Sequence, residues 1–180
     1  MDKKLVLSAL GSDQPGLVNK ISQHIHRLGL NIEDSRMSVL GGEFAYMLLI
    51  SGEQATLQKL VSSLAELEQS FSDLIFNSRY TQARPLQPAL SYKVSVHALD
   101  HPGIVYNLAR FFSERNLNIE NLSTESYSAP HTGTKMFAVE LKLNIPEDIA
   151  INKLRDAFIE HCDALNLDAS FEPEHRQSYK

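Results

Sequence analysis

Asp13, Gly16 and Asn31 recur as Asp100, Gly103 and Asn118, each pair 87 residues apart. Together these residue types could hold a zwitterion. A glycine at a helix start lets a ligand approach the backbone amides, and those amides, aligned with the helix dipole, favour a carboxylate. A neighbouring aspartate can meet an ammonium group, and an asparagine offers both a donor and an acceptor. The full phrases are Asp13-Gln14-Pro15-Gly16-Leu17-Val18 against Asp100-His101-Pro102-Gly103-Ile104-Val105, and Leu30-Asn31-Ile32-Glu33 against Leu117-Asn118-Ile119-Glu120. Between Asp13 and Glu33, 8 of 21 positions match their counterparts, which marks an internal duplication. A duplicated module points to a duplicated binding site more readily than to one catalytic centre.

The same residues also have a purely structural reading. Asp13 and Asp100 can cap the first helical amides, Pro15 and Pro102 suit a first helical turn, and the glycines permit a sharp bend. Asn31 and Asn118 can make Asx-type turns. Both readings stand at this stage.

Other groups carry less chemistry. His24 and His26, two apart on a helix, do not share a face. His97, His131, His161 and His175 fall on a strand, a loop, a helix and the tail. No two histidines stand four apart on one helix, and none has a cysteine at zinc-site spacing, so no metal or other cofactor is expected. His101 replaces Gln14 in the second copy, and it would make binding pH-sensitive if it lines a pocket. Cys162 lies between His161 and Asp163, but adjacent helical residues point apart, so a packing role is expected. There is no nucleophile elbow, P-loop or dinucleotide fingerprint, and the chain is read as non-enzymatic.

The elements follow from periodicity. Leu5 to Ala9 reads as a strand. A helix opens at the Asp13 turn, carries the stripe Leu17, Val18, Ile21, Ile25 and Leu28, and stops at Gly29. Asn31 to Leu40 and Phe44 to Ile50 read as strands around a Gly41-Gly42 hairpin turn. A helix bearing Leu57, Leu60, Val61, Leu64 and Leu67 follows, then a strand from Phe71 to Tyr80. The second copy repeats this order. Tyr92, Val94 and Val96 alternate on a strand. Ile104, Val105, Leu108, Phe111 and Phe112 form a helical stripe that ends at Asn116. The hairpin turn becomes a long loop, residues 128–134. Phe137 to Leu143 is a strand, Leu154, Phe158 and Leu165 mark a helix, and Leu167 to Phe171 is a short strand. The expected organisation is module 1 over residues 1–80, a Pro-stiffened linker over 81–89, module 2 over 90–172 and a polar tail over 173–180. Each module is expected to be an α+β, ferredoxin-like βαββαβ layer, with a four-stranded antiparallel sheet and two helices on one face.

The composition narrows the function classes. At 180 residues with 43% hydrophobic and 22% charged content, two small globular modules are possible. A net charge of -5, with scattered Lys and Arg, disfavours a nucleic-acid surface. One cysteine permits no internal disulfide, and the N-terminus has no long apolar run, so a cytoplasmic location without membrane contact is the default.

The order strand, Asp-x-Pro-Gly-Leu/Ile-Val, helix, Leu-Asn-Ile-Glu, strand resembles an ACT domain, a regulatory amino-acid-binding module. The resemblance covers both halves. It implies ligand pockets at interfaces between ACT modules, formed by the first turn (Asp13, Gly16, Leu17; Asp100, His101, Gly103, Ile104) and the start of the second strand (Asn31, Asn118). Two modules without a catalytic domain resemble the ACT-domain regulators of glycine cleavage genes. That implies a repressor that contacts a DNA-bound transcription activator, is relieved by a small amino acid, glycine above others, and makes no direct DNA contact. The alternatives are an ACT protein regulating an enzyme, an interaction module whose turns are only helix starts, and the regulatory part of a one-carbon enzyme. Exposed strand edges make a homo-oligomer plausible.

Overall fold

Alternation decides which side of each strand is buried. In β1 (Lys3–Ser12), Leu5, Leu7 and Ala9 point into a core while Lys4, Val6, Ser8 and Leu10 point away. In β5 (Ala89–Leu99) the inward set is Val94, Val96 and Ala98. The computed structural model describes residues 3–71, 73–82 and 88–174. The chain divides into two units, Met1–Pro85 and Leu86–Lys180.

The first unit continues through α1 (Leu17–Arg27), β2 (Asn31–Leu40), β3 (Glu43–Gly52), α2 (Gln54–Gln69) and β4 (Ile75–Thr81). Its antiparallel sheet has the order β2-β3-β1-β4. Gly29 ends α1 with φ +74°, and Gly41 and Gly42 turn the hairpin with φ +61° and +91°. Both helices pack on one sheet face through Leu17, Ile21, Ile25, Leu57, Leu60 and Leu64.

The second unit has the same plan: α3 (Ile104–Ser113), β6 (Ile119–Ser128), β7 (Lys135–Pro146), α4 (Ile151–Ala164) and β8 (Asp168–Pro173), with sheet order β6-β7-β5-β8. Asn116 takes the left-handed position, φ +55°, that Gly29 holds in the first unit. Its core is aromatic where the first is mainly aliphatic: Phe158 lies 5.2 Å from Phe111, 5.1 Å from Phe112 and 5.7 Å from Phe171, ring centre to ring centre. The ferredoxin-like α+β architecture is therefore present in both units.

Several local expectations need correction. Val18 is exposed, so the α1 stripe is narrower than its sequence suggests. The last strand of the first unit starts at Ile75, because Phe71 and Leu74 are buried in the connection and Ser12 Oγ donates to the Asp73 carboxylate there. The polar tail begins later than expected: Pro173 is in β8 and the Glu174 N–H donates to Ser91 O at 2.8 Å. Pro85, His175 and the rest of the tail lie outside the described residues.

Cys162 is fully buried among Phe158, Leu154 and their neighbours. Burial pushes its thiol up to about 12 from an ordinary 9.0, with the neighbouring Asp163 charge adding to the rise. His161 turns elsewhere, its ring 5.2 Å from that of Phe111. Iodoacetamide labelling at pH 8 is expected to be at least about a hundredfold slower in the folded protein than in urea, because little thiolate is present. Comparable rates in the two states, read by mass spectrometry, would contradict the burial. Phe158→Ala is expected to destabilise the second unit by about 3–5 kcal/mol. The readout is loss of amide-exchange protection in β5, β7, α3 and α4, with β1 and β3 unaffected.

Candidate functional site

β1 is the inner strand of its sheet, paired with both β3 and β4, so its end is held on two sides. The chain leaves at Asp13, whose N–H donates to Gly42 O at 3.0 Å and ties the turn to the β2–β3 hairpin. Gly16 then adopts φ +94° and occupies the helix-cap position. An L-side chain is strained there, which is the physical need for glycine. The first helical bond runs from Lys20 N–H to Gly16 O at 2.9 Å. The amides of Leu17, Val18 and Asn19 are left without intrahelical acceptors.

Neither aspartate caps its helix. Among the described residues no side chain caps α1 or α3, and no acidic residue lies in either first turn. Pro15 and Pro102 stand before the helices, not in their first turns. The left-handed glycine after each proline turns the chain between the aspartate and the helix, so the carboxylate sits ahead of the cap position. The capping expectation is therefore wrong, and its failure leaves the amides available.

These groups share a cleft in the first unit. Asp13, Gln14, Gly16, Leu17, Val18, Asn19 and Ser22 line it with Met37 and Phe44, around a volume of about 620 Å³. Leu17 and Phe44 give it buried apolar lining, and Asp13, Gln14, Asn19 and Ser22 give it polar groups. The second unit repeats the backbone: the Asp100 N–H donates to Lys135 O at 3.1 Å, Gly103 has φ +99°, and Asn107 N–H donates to Gly103 O at 2.9 Å. Ile104 is buried beneath that helix start. Ser126 Oγ lies 3.5 Å from Asp100 Oδ2, while His101 Nδ1 is 3.0 Å from Pro102 O and the side chain is exposed.

The asparagines lie elsewhere. Asn31 opens β2 opposite Ser51, whereas the cleft residue Met37 stands six positions further along, opposite Tyr46. Along the partner strand these positions are five residues apart, Ser51 to Tyr46, which at about 3.3 Å per residue is roughly 17 Å. Asn118 immediately precedes β6, whose Ser126 end meets Asp100. Each module thus separates its asparagine from its own helix start. The other repeated residues are structural. Leu30 and Leu117 are buried and Ile32 and Ile119 pack on the cores. Glu33 and Glu120 fall at a β-bulge in each sheet. A hydrogen bond from Lys4, helped by one from Ser51, holds the Glu33 carboxyl below its usual range.

A second depression, of about 760 Å³, spreads over the helix-free sheet face of the second unit beside His97, Ser123, Glu125, Tyr127 and Glu140. Strand alternation placed His97 on that face, but the partners come from other strands. Of its charges, Glu140 is engaged within the sheet in a 2.7 Å pair with Lys93. The helix-start cleft, with its uncapped amides, is the better site for an anion. Among the described residues no cluster of three or more potential metal ligands occurs, and no helix is long and apolar enough to cross a membrane.

Comparison with known proteins agrees with this architecture. Residues 3–76 match the ACT domain family. The chain is 32% identical to the glycine cleavage system transcriptional repressor of Escherichia coli (strain K12), over 92% of this chain and 87% of that protein. The repressor of the same description from Shigella flexneri matches equally. A crystal structure assigned to the glycine cleavage system transcriptional repressors superposes with a TM-score of 0.73 at 25% identity, covering 98% of this chain and 99% of that one. An unknown protein from Galdieria sulphuraria shares the fold with a TM-score of 0.79 at 24% identity, covering 97% and 100%.

The left-handed glycines make a direct prediction. An added Cβ at Gly16 would meet nothing within 4 Å, so Gly16→Ala isolates the backbone strain. It is expected to cost about 1–2 kcal/mol in urea denaturation. A neutral result would refute the left-handed assignment.

Proposed function

The chain belongs to the ACT-domain family, and we propose that it is an amino-acid-responsive transcriptional regulator of the glycine cleavage system, acting by contact with a DNA-bound activator and relieved by glycine. The observation that carries this reading is the helix-start cleft, where uncapped amides and an aspartate stand together. The α-carboxylate of the ligand receives the amides of Leu17, Val18 and Asn19, and its ammonium group faces Asp13. Asp100, Gly103 and Ile104 repeat the arrangement in the second module, with His101 beside it in place of Gln14. Asn31 and Asn118 can reach a ligand only when it is held by a different module. The 32% identity to two named repressors supplies the regulatory context.

The switch is a population shift. Glycine must bind the activator-free arrangement more tightly than the activator-bound one, since equal affinity would shift nothing. The net charge of -5 suits contact with a protein better than contact with DNA.

Calorimetry with glycine, alanine and serine tests the sensor. Glycine is expected to bind, and Asp13→Asn with Asp100→Asn to weaken it at least about tenfold by removing the ammonium partner. Absence of heat at millimolar ligand would reduce the turns to helix starts and favour an interaction module. In a mobility-shift assay, the protein should retard promoter DNA only with the activator present, and glycine should release it.

A further inference from the structure

We propose that the helix-free sheet face of the first module pairs with the same face of a second copy of this chain. This face carries Leu10, Met47 and Ile75, exposed by 53%, 54% and 59%, with Val6, Ala45 and Leu49 around them. The fold does not demand apolar residues there. At the equivalent register positions the second module has His97 for Leu10, Glu140 for Met47, Asp168 for Ile75, Lys93 for Val6 and Lys142 for Leu49. One copy of the same sheet is built to face water, and the other is not.

The register shows why a second copy fits. Asp34, Leu49, Val6 and Arg79 form one row across β2, β3, β1 and β4. Arg36, Met47, Ser8 and Asn77 form the next, and Ser38, Ala45, Leu10 and Ile75 the one after. A two-fold axis parallel to the strands, midway between β1 and β3, lays each row over its own reverse in the partner. Asp34 then meets the partner copy's Arg79, and Arg79 meets its Asp34. Leu49 stands over Val6, Met47 over the small Ser8, and Leu10 over Ala45, so large side chains face small ones. Asp34 is already held by Arg36 and keeps further acceptor capacity. The long Arg79 side chain absorbs the edge offset produced by an angle of about 30° between aligned sheets.

The second module's face fails the same operation. Its rows are Asn121, Lys142, Lys93, Glu172 and Glu125, Ala138, His97, Asp168. The two-fold would set Lys93 on Lys142 and Glu125 on Asp168, like charge on like, which disfavours association.

The area suffices. Four strands about 4.8 Å apart, with eight residues rising about 3.3 Å each, give roughly 500 Å² per copy and roughly 1,000 Å² in the pair. A specific interface needs about that much.

Sedimentation equilibrium of the full chain tests the proposal. The natural sequence is expected to dimerise. Asp34→Arg alone, or Arg79→Asp alone, should raise the dimer Kd at least about tenfold, because each reversal strikes two symmetric contacts. The double variant Asp34→Arg with Arg79→Asp should return the Kd to within about threefold of the starting value, which a misfolded protein cannot do. Met47→Glu should leave a monomer with unchanged circular dichroism, while Lys142→Glu on the other module should leave the dimer intact. A monomer at every concentration, a dimer indifferent to both reversals, or a dimer broken by Lys142→Glu would each overturn the proposal.

Discussion

The placement of β1 and β5 as inner strands, hydrogen-bonded along both edges, governs each module. A strand paired on both sides cannot shift without breaking two ladders, so the point where the chain leaves it is set. The next backbone N–H is then tied to the neighbouring hairpin, Asp13 to Gly42 and Asp100 to Lys135. A left-handed glycine reverses the chain into the helix, and the helix start arrives at a fixed corner beside that hairpin. The corner is polar because the first amides have no intrahelical acceptor, and it stays accessible because no side chain caps them.

On this common frame the two modules diverge wherever the frame leaves a choice. The first has a mainly aliphatic interior, while the second stacks Phe111, Phe112, Phe158 and Phe171. Their helix-free faces differ further, since apolar residues in one correspond to charged residues in the other. A duplicated backbone has kept its hydrogen-bond plan while its surfaces carry different residue types.

Most of the frame can be read from local signals. Asn31–Leu40 is a strand over the expected span because Gly29 and Gly41-Gly42 bracket it with backbone that only a turn accommodates. Asn116 stops its helix as the glycine does. The helix starts were read less well. An aspartate two residues before a proline matches the statistics of a cap, but the glycine behind the proline moves the cap position past it. The bulges at Glu33 and Glu120 carry no local signal, since an extra residue in a strand is defined only by its partner strand.

By itself the sequence determined the duplication, the type and order of the elements, the alternation of the β5 strand, and the turns at Gly29 and Gly41-Gly42. Those are properties of neighbours along the chain, where sterics and hydrophobic period act. Only the tertiary structure decided that Asp13 shares a cleft with Phe44 while Asn31 lies at the far end of the module. It also aligned Asp34, Leu49, Val6 and Arg79 in one row. Those relations come from hydrogen-bond register between segments distant in sequence, and a shift of one residue would send every side chain to the opposite face.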